Sequence, residues 1–193
     1  MTKHFYIFRH GECPLNISDH IQGQRFDGIL TARGKKQALH TAKKLKDKQI
    51  EIIISSPLKR TIQTAKIVSS LLQVPILIDH RFIEVNMGII EGMHISIVEK
   101  EYQNLYNQWR TDTNGNTRFT GGETKQEVRN RIINGLNYYA TKTTYQNIGI
   151  SSHGIAISQI LQHLGYKYTN ISNGSILHIS YNHPSWLYND FIH

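Results

Sequence analysis

Three short stretches of this 193-residue chain carry side chains able to hold an anion. Arg9-His10-Gly11-Glu12 stands near the start, Ser55-Ser56-Pro57 follows with Arg60 one helical turn on, and Ser151-Ser152-His153-Gly154 comes late. Arginine presents a rigid, permanently charged fork of donors, and imidazole donates, accepts or attacks according to where its proton sits. Two guanidinium groups and two imidazoles in one place suit a tetrahedral dianion better than a neutral or cationic ligand. Phosphate is the natural guest of such a set.

For these residues to meet, the fold must bring three chain segments together. Each follows a run that reads as a buried strand: His4 to Arg9, Glu51 to Ser55 with Ile52, Ile53 and Ile54, and Ile148 to Ser152. In open parallel sheets, functional groups gather beyond the carboxyl ends of strands, so these ends would converge. Helices opening after Ser56, the expected N-cap with Pro57 in the first turn, and after His153 would aim unpaired backbone N–H groups at the same place. Arg9 and His10 are neighbours, and in a regular strand they would face opposite ways. The backbone must therefore leave strand geometry near His10.

The remaining pattern fills in the scaffold. Ala32 to Lys48 carries Ala38, Leu39, Ala42 and Leu45 at helical spacing, with Thr31 as N-cap. The helix after Ser56 runs to about Leu72, Pro75 to Ile78 is a short strand, and Glu84 to Gly92 reads as a loop. Ser96 to Trp109 is predicted helical, and Asn114 to Gly122 is polar and glycine-rich. Thr124 to Glu127 has capping-box spacing and opens a helix to about Lys142. Gly154 to Leu164 reads as a helix and Ser175 to Tyr181 as a strand, while the last dozen residues favour no single element. Strands alternating with helices predict a three-layer α/β/α sandwich with a mainly parallel central sheet, in one domain spanning 1–193.

Composition narrows the setting. No run approaches the roughly 18 apolar residues of a membrane span, and the first residues lack the apolar core of a signal peptide, so a soluble cytoplasmic protein is expected. Cys13 is the only cysteine, which excludes an internal disulfide and argues against a cysteine-based zinc site. A net charge of +8 favours an acidic partner, whether nucleic acid, an anionic membrane or a small phosphorylated substrate. The seven basic residues from Arg33 to Lys48 read as a solvated helix face, and no aromatic stripe is interleaved with them, so nucleic acid is not the expected partner.

Taken together, these motifs resemble the histidine phosphatase superfamily, which also contains the phosphoglycerate mutases. The likeness runs from Arg9-His10-Gly11-Glu12 and Asn16 through Gln22-Gly23, Asp27, Leu30-Thr31, Gly34, Gln37-Ala38, and Ser55-Ser56-Pro57 with Arg60 and Thr64-Ala65. It resumes at Glu84, Gly88, Glu91-Gly92, Gly121-Gly122-Glu123-Thr124, Ser152-His153-Gly154 and Asn173-Gly174-Ser175. The resemblance implies that His10 attacks phosphorus, that Arg9, Arg60 and His153 hold the phosphoryl oxygens, and that Glu84 is the proton donor, with Glu91 the rival. It assigns Asn16, Gln22, Gly23 and the Gly154 backbone to substrate binding, and implies neither metal nor cofactor. His10 must be neutral to attack, and Arg9, Arg60 and any charge on His153 would disfavour its protonation. The segment 93–118 is expected to form a lid.

Within that family two activities compete. A mutase returns the phosphoryl group to substrate, whereas a phosphatase releases it to water. The Val-Asn-Met-Gly-Ile-Ile-Glu-Gly segment after Glu84 is closer to the phosphatase branch, as is the short chain. A third reading, a noncatalytic anion-binding module, would be expected to lack His10 or Glu84, and both are present.

Overall fold

Six strands form one sheet in the computed structural model, which describes residues 2–167 and 170–192. They are β1 (Lys3–Arg9), β2 (Ile52–Ser55), β3 (Ile76–Ile78), β4 (Asn147–Ser152), β5 (Ile176–Asn182) and β6 (Ser185–Ile192), arranged β3-β2-β4-β1-β5-β6. The pairs β3/β2, β2/β4 and β4/β1 are parallel, and β5 and β6 add two antiparallel pairings at one side. The α-helices among the described residues are α1 (Pro14–Ile17), α2 (Ala32–Leu45), α3 (Lys59–Leu72), α4 (Ile95–Glu101), α5 (Gln103–Thr111), α6 (Lys125–Lys142) and α7 (Gly154–His163).

The period-two alternation of the strands produces the layers. Phe5, Ile7, Ile52 and Ile54 join one core with Val128, Ile132 and Leu136 of α6 and Ile157 and Ile160 of α7. Tyr6, Phe8 and Ile53 face the other way, onto Ala42 and Leu45 of α2 and Ala65 and Val68 of α3. Each such Ile, Leu or Phe contributes about 1.5–3 kcal/mol by leaving water, so both faces anchor the sheet. The expected three-layer sandwich is present, although Leu39 of α2 lies 40% exposed, outside the core. Chain order then fixes where a site can form. From β1 the chain goes to α2 on one face, and from the adjacent β4 to α7 on the other, so a crevice opens beyond the ends of β1 and β4.

Two predicted caps hold. Thr31 Oγ1 accepts from Gly34 N at 2.9 Å, and Thr124 and Glu127 exchange the two bonds of a capping box. Ser56 is not a cap: α3 starts at Lys59 behind an extended Leu58, because the buried Ser56 hydroxyl is committed to His153 Nε2 at 2.7 Å. The Asp27 carboxylate meets the start of α3 instead, accepting from Lys59 N and Arg60 N. The predicted helix from Ser96 to Trp109 is two helices. Tyr102, at φ −120° and ψ 23°, ends α4 and begins α5. The undecided C-terminal residues form β6, paired along β5. No helix among the described residues is long and apolar enough to cross a membrane.

Candidate active site

A cavity of about 250 Å³ lies beyond the ends of β1 and β4, and Arg9, His10, Asn16, Gln22, Gly23, Arg60, Glu84 and Gly154 all stand on its wall. Of the residues expected from the sequence, only His153 is missing from that wall. It is fully buried, with its ring edge-on to His10 at a centroid distance of 5.3 Å.

The backbone leaves the strand where it had to. Arg9 is the last residue of β1 and pairs with Ser152, whereas His10 lies beyond the strand with its N–H donated to Ser152 O at 3.0 Å. Asn173 Nδ2 holds the His10 carbonyl at 2.9 Å, and Thr64 Oγ1 accepts from Gly11 N at 3.1 Å. Two glycines allow this turn to lie on the start of α2: a Cβ on Gly11 would come within 2.2 Å of Gly34 O, and one on Gly34 within 2.0 Å of Glu12 O. Neighbouring side chains thereby reach one cavity.

The His10 ring is 2% exposed, and its Nδ1 lies 2.8 Å from the Gly11 carbonyl. A carbonyl only accepts, so Nδ1 carries the proton and Nε2 the lone pair in the neutral ring. Burial pushes the His10 pKa well below its ordinary 6.5, and the Arg9 and Arg60 guanidinium groups push the same way, against the opposing Gly11 bond. His153 is also pushed well below its ordinary value, by burial first and then by Arg60, His10 and Arg9. The expected neutrality of His10 thus has burial as its main cause, and His153 adds no charge because it is neutral itself. With Nε2 on Ser56, the His153 Nδ1 is buried with no hydrogen-bond partner among the described residues.

Arg60 is 1% exposed and held in place before any ligand arrives. Its Nη1 donates to Asp27 Oδ1 at 3.1 Å and its Nη2 to the Gly23 carbonyl at 2.8 Å, while Nε is buried with no partner among the described residues. Arg9 Nη1 donates to the Ile171 carbonyl. Asn16 Oδ1 and Gln22 Oε1 each lie 3.1 Å from the Cys13 thiol, which orients both side-chain amides. Burial raises the Cys13 pKa, so this cysteine is a neutral packing and hydrogen-bonding group.

Glu84 and Glu91 differ sharply. The Glu84 carboxylate is on the cavity wall, accepting from Val85 N at 3.0 Å, Ile155 N at 3.2 Å and Ala156 N at 3.1 Å. The side chain of Glu91 is fully buried off the wall, where it accepts from Met87 N, Gln24 N and Arg25 N and pairs with the Arg25 guanidinium. It ties the 22–25 loop to the 84–91 loop. Gly23, with a φ of +54°, has its Cβ position against Glu91 Oε1, so no other residue fits there. The expected role of helix N-termini also needs correcting. Asp27 occupies the start of α3 and Glu84 the start of α7, so these N–H groups do not face the cavity unpaired.

Around Glu84 lies a support unmarked by sequence reasoning. Arg131 of α6 donates to the carbonyls of Arg81, Ile83 and Glu84 and pairs with Glu123, whose Oε2 also accepts from Gln24 Nε2 and Asn86 N. Glu123 belongs to a recognised motif, but nothing in the spacing around Arg131 signals a site. Tyr106 and Trp109 on the wall belong to the segment 93–118 expected as a lid, whereas Ile21, Val85, Met87, Ile155 and Ile171 line the cavity without having been marked by any motif. Among the described residues no group of three His, Cys, Asp or Glu side chains is placed to hold a metal ion.

Comparison with known proteins gives the same picture. Residues 5–191 match the sequence profile of the histidine phosphatase superfamily, branch 1. A probable phosphoglycerate mutase GpmB of Proteus mirabilis is 32% identical over 97% of this chain and 89% of its own length, and the Escherichia coli protein of that name is 34% identical over 94% and 86%. Chain length therefore does not separate this protein from relatives bearing a mutase name. Among solved structures, a mycobacterial glucosyl-3-phosphoglycerate phosphatase superposes with a TM-score of 0.86 at 22% identity, covering 97% of both chains. An Escherichia coli protein described as a putative alpha-ribazole-5'-P phosphatase gives 0.82 at 26% identity, covering 97% of this chain and 96% of its own. A phosphoglycerate mutase from Bacillus anthracis gives 0.86 at 22%, covering 97% and 92%. With its profile matched almost end to end and its motif residues gathered in one cavity, the chain belongs to branch 1 of the histidine phosphatase superfamily.

Proposed function

We propose that this protein is a metal-independent phosphatase that hydrolyses a small phosphomonoester through a phosphohistidine on His10. The observation that carries the reading is the His10 ring: buried, neutral, and bonded through Nδ1 to Gly11, so that Nε2 is its nucleophilic atom. Arg9 and Arg60 share its cavity, supplying charge for the phosphoryl oxygens. The unpartnered Arg60 Nε is a further donor that an oxyanion would satisfy.

In the first step Nε2 bonds to phosphorus as the ester P–O bond breaks, and Glu84 gives its proton to the departing alcohol oxygen. In the second, the Glu84 carboxylate takes a proton from water as the hydroxide attacks phosphorus, the P–N bond breaks, and orthophosphate leaves with His10 neutral again. Proton donation of this kind is worth roughly 10²–10⁴ in rate. Segment 93–118 acts as the lid, delivering Tyr106 and Trp109 to the wall. A second reading, phosphoryl return to substrate as in a mutase, is favoured by the names of the curated relatives.

The test is turnover of an aryl phosphate in chelator by wild type, His10→Ala and Glu84→Gln, beside an acid-labile phosphoenzyme trap. The phosphatase reading expects steady release of phosphate and a trapped intermediate, both lost in His10→Ala, with release slowed at least 100-fold in Glu84→Gln. A trapped phosphoenzyme discharged only on adding a phosphorylated acceptor supports the mutase instead. No trapping and no turnover across a broad panel removes both.

A further inference from the structure

Beside its polar residues, the cavity wall carries an apolar zone. Ile21, Val85, Met87, Ile155 and Ile171 line it, and α5 adds the Tyr106 and Trp109 rings. Arg9 and Arg60 are the only Lys or Arg side chains among the described lining residues, and both belong to the phosphate end, one bonded to the Ile171 carbonyl and the other to Asp27 and Gly23. Two further cations approach the aromatic residues from outside the wall: buried Lys125 has its ammonium 4.4 Å from the Trp109 ring centroid and donates to the Trp109 carbonyl, and Arg110 has its guanidinium 5.7 Å from the Tyr106 ring centroid but lines a separate groove with Arg129 and Lys167. Besides His10, Asn16, Gln22 and Glu84, the lining also offers the polar side chains of His20 and Asn170.

Resting on the phosphatase reading, we propose that this zone is the leaving-group subsite and that it selects an uncharged alcohol with a ring-bearing apolar body. Two physical facts drive the selection. Aromatic side chains gain from offset or edge-on contact with another ring, and the aliphatic side chains gain in proportion to the apolar area they cover. A carboxylate or second phosphate on the leaving group would be desolvated here without a dedicated counter-ion, and an unpaired buried anion is strongly disfavoured. Phosphorylated carboxylic acids, which need a cation beyond the transferred phosphate, are therefore poor substrates for this wall. Asn170 and His20, which also line the cavity, can hydrogen-bond a hydroxyl or ring nitrogen without demanding charge.

The experiment compares wild-type kcat/KM for phenyl phosphate, 4-carboxyphenyl phosphate, 2-naphthyl phosphate and 3-phosphoglycerate. The neutral aryl esters are expected to exceed both carboxylated esters by about 100-fold, mostly through KM, a ratio typical of a polar group left unpaired in a closed site. A Tyr106→Arg variant supplies the missing cation and is expected to narrow the phenyl to carboxyphenyl ratio at least tenfold. Because the wild-type comparison needs no variant, poor folding of Tyr106→Arg would not blunt the test. Equal or better turnover of the carboxylated esters overturns the subsite while leaving the phosphatase reading standing. Failure to turn over any ester overturns both.

Discussion

Keeping two histidines neutral in the interior should make the fold sensitive to mild acid, and one variant isolates the effect. In the folded chain the His10 pKa is pushed well below 6.5, whereas in the unfolded chain the ring titrates near that ordinary value. As pH falls below 6.5 the unfolded state gains a proton that the folded state refuses, so stability present above 6.5 is progressively lost. Each such group contributes a slope of at most about 1.4 kcal/mol per pH unit, so a descent from about pH 7 to about pH 5 costs up to about 2 kcal/mol for His10 alone. His153 is lowered for the same first reason, burial, and adds to the loss. His10→Asn removes one titrating ring and leaves His153 in place. Urea unfolding of wild type and His10→Asn at both pH values is expected to give a stability difference that moves in favour of the variant at the lower pH, by up to about 2 kcal/mol. A difference that stays constant with pH would refute the claim that the folded protein holds His10 neutral.

Other expectations follow from single contacts. Arg131→Met, which removes the donors to the carbonyls of Ile83 and Glu84, should lower kcat/KM for an alkyl phosphate about tenfold, yet leave kcat/KM for a dinitrophenyl ester, whose first step needs no proton, nearly unchanged. Equal losses on both esters would mean that Arg131 supports the fold and not the Glu84 carboxyl. Asp27→Ala leaves the buried Arg60 without its carboxylate and should cost about 3 kcal/mol in unfolding free energy, with raised KM. Orthophosphate at a hundred times its Kd should stabilise the wild type by about 2.7 kcal/mol, a Tm rise of about 5–10 °C, and Arg9→Met should abolish that rise.

What could be read from the sequence followed the physics of local patterns. Buried runs such as Ile52-Ile53-Ile54 can only be strands or core helices, and the residues closing them stand where a parallel sheet exposes its functional ends, so Arg9, His10 and Arg60 were legible. Caps written in short spacing, Thr31 and Thr124–Glu127, were legible for the same reason. Contacts between distant segments were not. Ser56 looks like an N-cap until His153, 97 residues away, claims its hydroxyl, and both free helix ends were taken by carboxylates from other loops. Tyr102 interrupts a helix without proline or glycine, and Arg131 reaches carbonyls 47 to 50 residues away, neither of which leaves a local mark.

The site's electrostatics also explain why one physical cause serves two ends. A basic chain with arginines in its cavity would attract a dianion from solution with no further device. Attraction alone gives binding, because a protonated imidazole beside two guanidinium groups would hold phosphate tightly and never attack it. Burial breaks that symmetry: it disfavours charge on His10 more than the neighbouring arginines do, while Arg9 and Arg60, as guanidinium groups, keep theirs. Under the proposed phosphohistidine route, permanent positive charge would meet the phosphoryl oxygens while the His10 lone pair meets phosphorus. In-line displacement by nitrogen requires that division, and the expected acid sensitivity of the fold would be its thermodynamic counterpart.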